Sequence, residues 1–353
     1  MNITHVSFGF TTGGAELMMA DIMAEQARAG HNVTLIVINR HYEQPLLDAL
    51  DNSIRVVTLN RPEGSHNPLW LLRYNLALRR THPHIIHLHS SKAPGFTFNV
   101  PGAKTVMTVH DTGINLRQTK KLHRVFAISE AVHSDLLQRL SLPSTIVENG
   151  IVCSKVKQKQ ADITNSQAPA PFRIVVVARL LHQKKGQDIA TEALNRLKTS
   201  YPSQNVTLDF IGDGTSEKHL RSLAEAHGLS TAVSFLGNRS RDYIYSHLCD
   251  YDLFLLPSRY EGFGLTVAEA MAAKVPVLVS DIEGPMEIID NGRSGSHFRC
   301  GDPNDCAAAI ARIIADYPRF LTLAQTEAYR HVTERYDISR TAADYLRHYA
   351  ELL

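Results

Sequence analysis

The chain has 353 residues, enough for two domains at about 100–200 residues each, and its 44% hydrophobic and 20% charged content is that of an ordinary globular protein. A formal net charge of +2 without long Lys/Arg blocks excludes nucleic-acid binding driven by charge alone. Cys153, Cys249, Cys300 and Cys306 form no CxxC pair and no zinc spacing, so free thiols of a reducing compartment are expected.

The N-terminal MNITHVSFGFTTGGAE lacks a basic region followed by an apolar run, so no signal peptide is expected. No stretch of about 18 apolar residues is present either. A cytoplasmic protein follows, with at most a peripheral contact with the inner face of a membrane. The segment 2–9 reads as a strand and 15–29 as a helix closed by Gly30. Strands are predicted at 33–38, 54–59, 85–89, 105–109, 124–128 and 145–147, and helices at 68–80 and 130–140. Short apolar runs alternating with helices specify a parallel α/β sheet. Residues 153–171 are polar, end in Pro169 and Pro171, and read as a linker. The rhythm then restarts. Strands are predicted at 172–178, 206–211, 233–235, 253–256 and 275–279, and helices at 186–200, 216–227, 266–273, 307–316 and 339–353. Two doubly wound Rossmann-like domains facing across a cleft are expected, with ligand residues in the loops after the strands.

Several of those loops carry chemistry. Gly13-Gly14-Ala15-Glu16 follows the first strand and opens a helix, where backbone can approach a diphosphate or an acceptor hydroxyl; an ordinary strand-to-helix turn would look the same. It is no Gly-x-Gly-x-x-Gly fingerprint, which speaks against a dinucleotide and an NAD-dependent oxidoreductase. His110-Asp111 ends one strand and His87 and His89 another; His110 can bond a sugar or stabilise developing charge, and His89 and Asp111 suit the acceptor side. Arg179, Lys184 and Lys185 follow a strand and can clamp a departing diphosphate. Gly212-Asp213-Gly214, and Gly237 further on, let a nucleotide lie close to the backbone. In Pro257-Ser258-Arg259-Tyr260-Glu261-Gly262-Phe263-Gly264-Leu265, a glycine-bearing loop opens a helix whose first amides can bind phosphate or sugar. Glu261 can accept from sugar hydroxyls, and Glu269, in an otherwise apolar helix, can accept from the two vicinal hydroxyls of a ribose.

Asp250-Tyr251-Asp252 precedes its apolar strand instead of following it, so no metal is expected there. The helix 68–80 mixes Trp70 and leucines with Arg73, Arg79 and Arg80, as a core helix with a basic outer face or a membrane-surface helix would. Arg117, Lys120, Lys121 and Arg124 make a second basic patch, able to meet an anionic acceptor or membrane.

Over nearly its whole length the chain resembles the family 4 glycosyltransferases of the GT-B fold, bacterial lipopolysaccharide and polysaccharide transferases among them. The E-x7-E signature, Glu261 to Glu269 within PSRYEGFGLTVAEAM, carries most of the resemblance. Gly13-Gly14-Ala15-Glu16, His110-Asp111, Glu148-Asn149-Gly150-Ile151, Ala178-Arg179-Leu180 and Gly212-Asp213-Gly214 follow in the family's order. The resemblance implies a retaining hexosyl or N-acetylhexosaminyl transfer, without metal or other cofactor, from a nucleotide-diphosphate sugar, UDP before GDP, to a glycan or lipid-linked acceptor. It places Arg179 and a lysine on the diphosphate. Glu261 and the amides of Gly262, Phe263, Gly264 and Leu265 would meet the donor sugar, Glu269 the ribose, and Gly14, Gly212 and Lys185 other parts of the donor. It sets His110, with Arg179, Lys184 and Glu261, at the reacting centre, and Glu16, His89 and Asp111 toward the acceptor. Residues 1–152 would form the acceptor domain, joined by the last helix (337–353), and 172–336 the nucleotide-sugar domain. Departures are Lys184, which keeps the family's spacing from Arg179 and is preferred on the phosphate while Lys185 precedes Gly186; Lys274, where the family has Gly; and Glu283-Gly284, where it has two glycines. A nucleotide-sugar 2-epimerase or a non-catalytic sugar-binding relative would share the fold.

Overall fold

The structure is a computed structural model that describes residues 1–11, 13–160, 171–202 and 204–353. The chain divides into two compact units, Met1–Val152 with Asp337–Leu353, and Cys153–Tyr336.

The first unit is built on seven strands: β1 (Asn2–Ser7), β2 (Asn32–Asn39), β3 (Arg55–Arg61), β4 (Ile85–Leu88), β5 (Lys104–Val109), β6 (Arg124–Ala127) and β7 (Thr145–Ile146). All pairs are parallel, in the order β3-β2-β1-β4-β5-β6-β7. Both faces of such a sheet are covered, which is why β2, NVTLIVIN, is apolar almost without alternation and buried after its first residue. The helix Gly14–Arg28 lays Met18, Met19, Ile22, Met23 and Gln26 against the sheet, four of them apolar and one an amide. Gly30 follows it at φ +83°, the left-handed turn that ends a helix at low cost.

The first unit also takes in the C-terminal helix Ile338–Ala350. Asp337 caps it by accepting from the Ser339 amide at 3.0 Å. Its apolar stripe, Ile338, Ala342, Tyr345 and Tyr349, is buried, as a helix of period 3.6 requires when one face meets a core. The Ile338 amide donates to the Ile151 carbonyl at 2.9 Å and the Thr341 hydroxyl to the Glu148 carbonyl at 2.9 Å.

The second unit repeats the plan with six parallel strands: β8 (Phe172–Val177), β9 (Val206–Ile211), β10 (Val233–Phe235), β11 (Leu253–Leu256), β12 (Val277–Ser280) and β13 (Ser296–Phe298). Their order is β10-β9-β8-β11-β12-β13. The strand expected to begin at Val275 begins two residues later, because Lys274 turns the chain at φ +59°. The segment read as a linker from 153 is, as far as 160, part of this unit. Lys157 and Lys159 donate their amides to the Tyr245 and Ala273 carbonyls at 2.9 and 2.8 Å. Lys159 Nζ reaches the Tyr251 carbonyl at 2.8 Å and Asp252 at 3.2 Å. The rest of that segment, 161–170, lies outside the described residues. Elements that the sequence pattern does not announce include β13, the helices Gln44–Asp48, Arg241–His247 and Glu283–Ile288, and the helical run from Tyr317 to Arg335.

Candidate active site

In the second unit the loops at the carboxyl ends of β8, β9, β11 and β12 are tied to one another through backbone. Gly186, at φ +66°, starts the helix Gln187–Ser200, and a β-carbon placed on it would lie 1.9 Å from the Pro257 carbonyl oxygen. The loop after β8 can therefore touch the loop after β11 only because residue 186 has no side chain. The Arg259 and Tyr260 amides donate to the Lys184 carbonyl at 2.8 and 3.3 Å. Gln187, fully buried, donates its amide to the Arg179 carbonyl at 2.9 Å. The Leu180 amide donates to the Asp213 carbonyl at 2.7 Å, and the Gly212 amide to the Gly237 carbonyl at 2.9 Å. The Ser280 hydroxyl donates to the Ser258 carbonyl at 2.5 Å.

A bidentate ion pair completes this frame. Arg259 sends both terminal nitrogens to the two oxygens of Asp188 at 2.8 Å each and a further bond to the His182 carbonyl at 2.8 Å. Burial pushes the Asp188 carboxyl up, but the Arg259 hydrogen bonds and charge outweigh it and hold it below the usual carboxylate range.

On this frame sit the charged groups. Lys185 Nζ forms an ion pair with Glu261 Oε2, and the Ser258 hydroxyl stands 3.5 Å from the same oxygen. Arg179 is exposed, and its guanidinium has no ion pair among the described residues. Of the two lysines, the sequence favours Lys184, whereas the fold brings Lys185 to Glu261; Lys184 contributes its carbonyl to the frame. The helix Leu265–Ala272 begins after Gly264 at φ +109°. Glu269 is buried within it at 9% exposure. Phe263, expected at the donor, turns its ring inward and packs edge-on against Tyr336 at 5.4 Å, so only its backbone is offered to a ligand. Asp252 accepts from Lys159, from the Arg173 amide at 2.9 Å and from Tyr317 at 3.3 Å at the opposite, amino-terminal end of β11, where it serves the fold.

In the first unit the chain beyond β1, β4 and β5, three adjacent strands, carries Gly14 and Glu16 in the first turn of a helix, His89, and His110 with Asp111. Asp111 accepts from the Thr112 amide at 3.0 Å. His110 Nε2 lies 3.2 Å from His89 Nδ1, and His110 Nδ1 is buried without a hydrogen-bond partner. Burial lowers the His110 imidazole to about 4, so it is neutral at pH 7. The resemblance sets His89 on the acceptor side, but both its nitrogens are engaged, Nδ1 by His110 and Nε2 by His5 at 2.9 Å. Sequence reasoning misses Asp188, Arg259, His5 and Gln26. Gln26 leaves one signal, an amide on the stripe that also carries Met19, Ile22 and Met23.

The fold has counterparts among known proteins. Residues 12–155 match the family described as Glycosyltransferase Family 4, and residues 158–330 the family described as Glycosyl transferases group 1. The chain is 27% identical over 259 residues to the glycogen synthase of Mycobacterium tuberculosis, covering 72% of this chain and 61% of that protein. It is 26% identical over 326 residues to the lipopolysaccharide core biosynthesis glycosyltransferase LpsE of Rhizobium meliloti, covering 90% and 89%. The chain spans about three fifths of the length of the first curated relatives it matches, 61% and 58%. Among solved structures, Anabaena Alr3699/HepE in complex with UDP and glucose superposes with a TM-score of 0.79 at 22% identity, covering 99% of each chain, and shares the fold.

Proposed function

The chain belongs to the family 4 glycosyltransferases of the GT-B fold, and from that premise we propose that it transfers a hexosyl or N-acetylhexosaminyl group from a UDP-sugar to a glycan or lipid-linked glycan of lipopolysaccharide, O-antigen or capsule, with retention of configuration and without a metal or other cofactor. The observation that carries this reading is the pairing of Lys185 with Glu261 on backbone-locked loops, in a unit that also carries the exposed cation Arg179 in the loop after β8 and the buried Glu269 in the helix after β11. Two cations answer a diphosphate, a carboxylate over a helix N-terminus answers sugar hydroxyls, and a buried carboxylate answers a ribose. The UDP complex of the Anabaena protein and the lipopolysaccharide role in the name of the Rhizobium relative support the donor and the acceptor class.

In the proposed reaction the bond from the anomeric carbon to the diphosphate breaks, and its electron pair leaves with the diphosphate. Arg179 and Lys185 stabilise that charge as it develops, the largest need of the step. The acceptor oxygen bonds the anomeric carbon on the face the diphosphate leaves, and its proton passes to the departing phosphate oxygen. Asp252, engaged with Lys159, Arg173 and Tyr317, is not free to hold a divalent ion, which supports the metal-independent reading. The four cysteines form no disulfide among the described residues, in keeping with the cytoplasm, where nucleotide sugars would serve it.

A peripheral membrane contact belongs to the same proposal. No helix among the described residues is long and apolar enough to cross a membrane. The helix Leu69–Arg80 exposes Leu69, Leu72 and Leu76 as one stripe with Phe98 beside it, flanked by Arg73 and Arg79.

The test is calorimetric binding of UDP, GDP and NAD with EDTA present. Micromolar binding of UDP, weakened about tenfold or more in Glu269→Ala, is expected, since a charged hydrogen bond is worth about 1.5–3 kcal/mol. Binding of NAD alone, or of no nucleotide, would overturn the reading.

A further inference from the structure

Four histidines of the first unit lie on one face of the sheet because of register. His5 and His87 are paired residues of β1 and β4. His89 is two positions beyond His87 and so points to the same side. Val106 pairs with His87, so Thr108 and His110, two and four residues on, share that side too.

Their nitrogens make a single file. Gln26 Oε1 is 2.8 Å from His5 Nε2, His5 Nδ1 is 2.9 Å from His89 Nε2, and His89 Nδ1 is 3.2 Å from His110 Nε2. His87 stands beside the file, its ring 4.1 Å from that of His89. Its own nitrogens go to the Tyr349 hydroxyl at 2.6 Å and the Thr108 hydroxyl at 2.7 Å. His5, His87 and His89 stand close enough to meet one cation. All six of their nitrogens are already engaged, however, so the arrangement is a hydrogen-bond network rather than a metal centre.

We infer that Gln26, His5 and His89 are positioning residues that fix the tautomer of His110, so that its unpartnered Nδ1 is presented as a bare acceptor to a hydroxyl group. A neutral imidazole carries one N–H and one lone pair. Burial lowers His5 and His110 to about 4 and His89 well below its ordinary value, so each ring in the file is neutral at pH 7. The Gln26 oxygen can only accept, so His5 holds its proton on Nε2 and accepts on Nδ1. His89 then holds its proton on Nε2, and so does His110, which leaves a lone pair on His110 Nδ1. Turning the Gln26 amide over would reverse every proton and make that nitrogen a donor. One side chain, three residues removed along the file, thus selects what His110 recognises. The functional meaning of this device rests on the glycosyl-transfer reading, in which His110 meets a sugar hydroxyl.

The experiment is nitrogen-15 spectroscopy of the imidazoles in the intact protein at pH 7, on wild type, Gln26→Met and Gln26→Glu. The inference expects His110 protonated at Nε2 and bare at Nδ1 in wild type. It expects the two tautomers to mix in Gln26→Met, and the wild-type form to persist in Gln26→Glu, whose carboxylate also only accepts. In transfer assays Gln26→Met should lower kcat/KM about three- to tenfold, the worth of one ordinary hydrogen bond, with UDP affinity unchanged and Gln26→Glu closer to wild type. Folding of each variant is checked by circular dichroism, and His5→Asn serves as a second break should Gln26→Met fail to fold. A protonated His110 Nδ1 in wild type, or a His110 spectrum indifferent to both breaks, would overturn the inference. The spectroscopic arm needs no substrate. It therefore decides the tautomer even if UDP binding fails, and UDP binding with the wrong tautomer sinks this inference alone.

Discussion

The two units end their strands in opposite chemistry. In the first, the ends of β1, β4 and β5 gather neutral imidazoles, buried and bonded to one another. In the second, the ends of β8 and β11 gather Arg179, Lys185 and Glu261 on loops packed backbone to backbone. The same parallel sheet therefore presents one surface suited to uncharged hydroxyls and another suited to an anion. The difference arises from what surrounds each group. Burial disfavours the charged form of the imidazoles, whereas Lys185 and Glu261 stand against one another as an ion pair.

Acid should separate the two most strongly. His5 is fully buried, and its value falls from 6.5 to about 4, so the native first unit resists the proton that the unfolded chain accepts. This group costs nothing above pH 6.5, and its contribution is lost as pH falls toward 4, by about 3 kcal/mol for His5 alone. His87, His89 and His110 are shifted in the same direction and add to the effect. Peptide-resolved hydrogen exchange, corrected for intrinsic rates, should show the first unit opening between pH 6.5 and 4 while the second holds. His5→Phe should flatten that dependence, and equal opening of both units would break the comparison.

Next in size is the assignment of the phosphate lysine. Lys185→Ala should lower kcat by about a hundredfold, the range for one preorganised group at a developing charge. Lys184→Ala should cost far less, and steady-state kinetics that reversed this order would restore the reading favoured by sequence.

The smallest effect concerns the frame. Asp188→Asn leaves Arg259 one neutral acceptor and should cost about 1–2 kcal/mol, read as a shifted urea midpoint of the second unit. Asp188 lies below the ordinary carboxylate range in the folded chain, so its contribution is present above that range and disappears as pH falls through the lowered value. The variant and wild type should converge in strong acid.

Much of this is legible in sequence because parallel strands are written as apolar runs and their loops as glycines and charges. β2, β8, β9 and β11 stand out for that reason. Ser296–Phe298 does not, since an edge strand of three residues with a polar start carries no run to detect. The Glu261 to Glu269 spacing points to the loop and the helix below it, but a pairing between Lys185 and Glu261, 76 positions apart, exists only after the sheet has formed. His5 in NITHVS reads as one polar residue in a strand, and only register shows that it faces His87. Arg259 and Asp188, 71 positions apart, look like two solvated charges for the same reason.

The C-terminal helix has a consequence for synthesis. Tyr345 and Tyr349 cover the face that carries His87 and Thr108. On the ribosome, residues 153–336 must be made between the two parts of the first unit, roughly ten to forty seconds at about 5–20 residues per second. During that interval the imidazole face has Gln26 of the helix Gly14–Arg28 against it but lacks the cover of Tyr345 and Tyr349. The nascent first half therefore has to wait, partly folded, for the last helix to arrive and shut it.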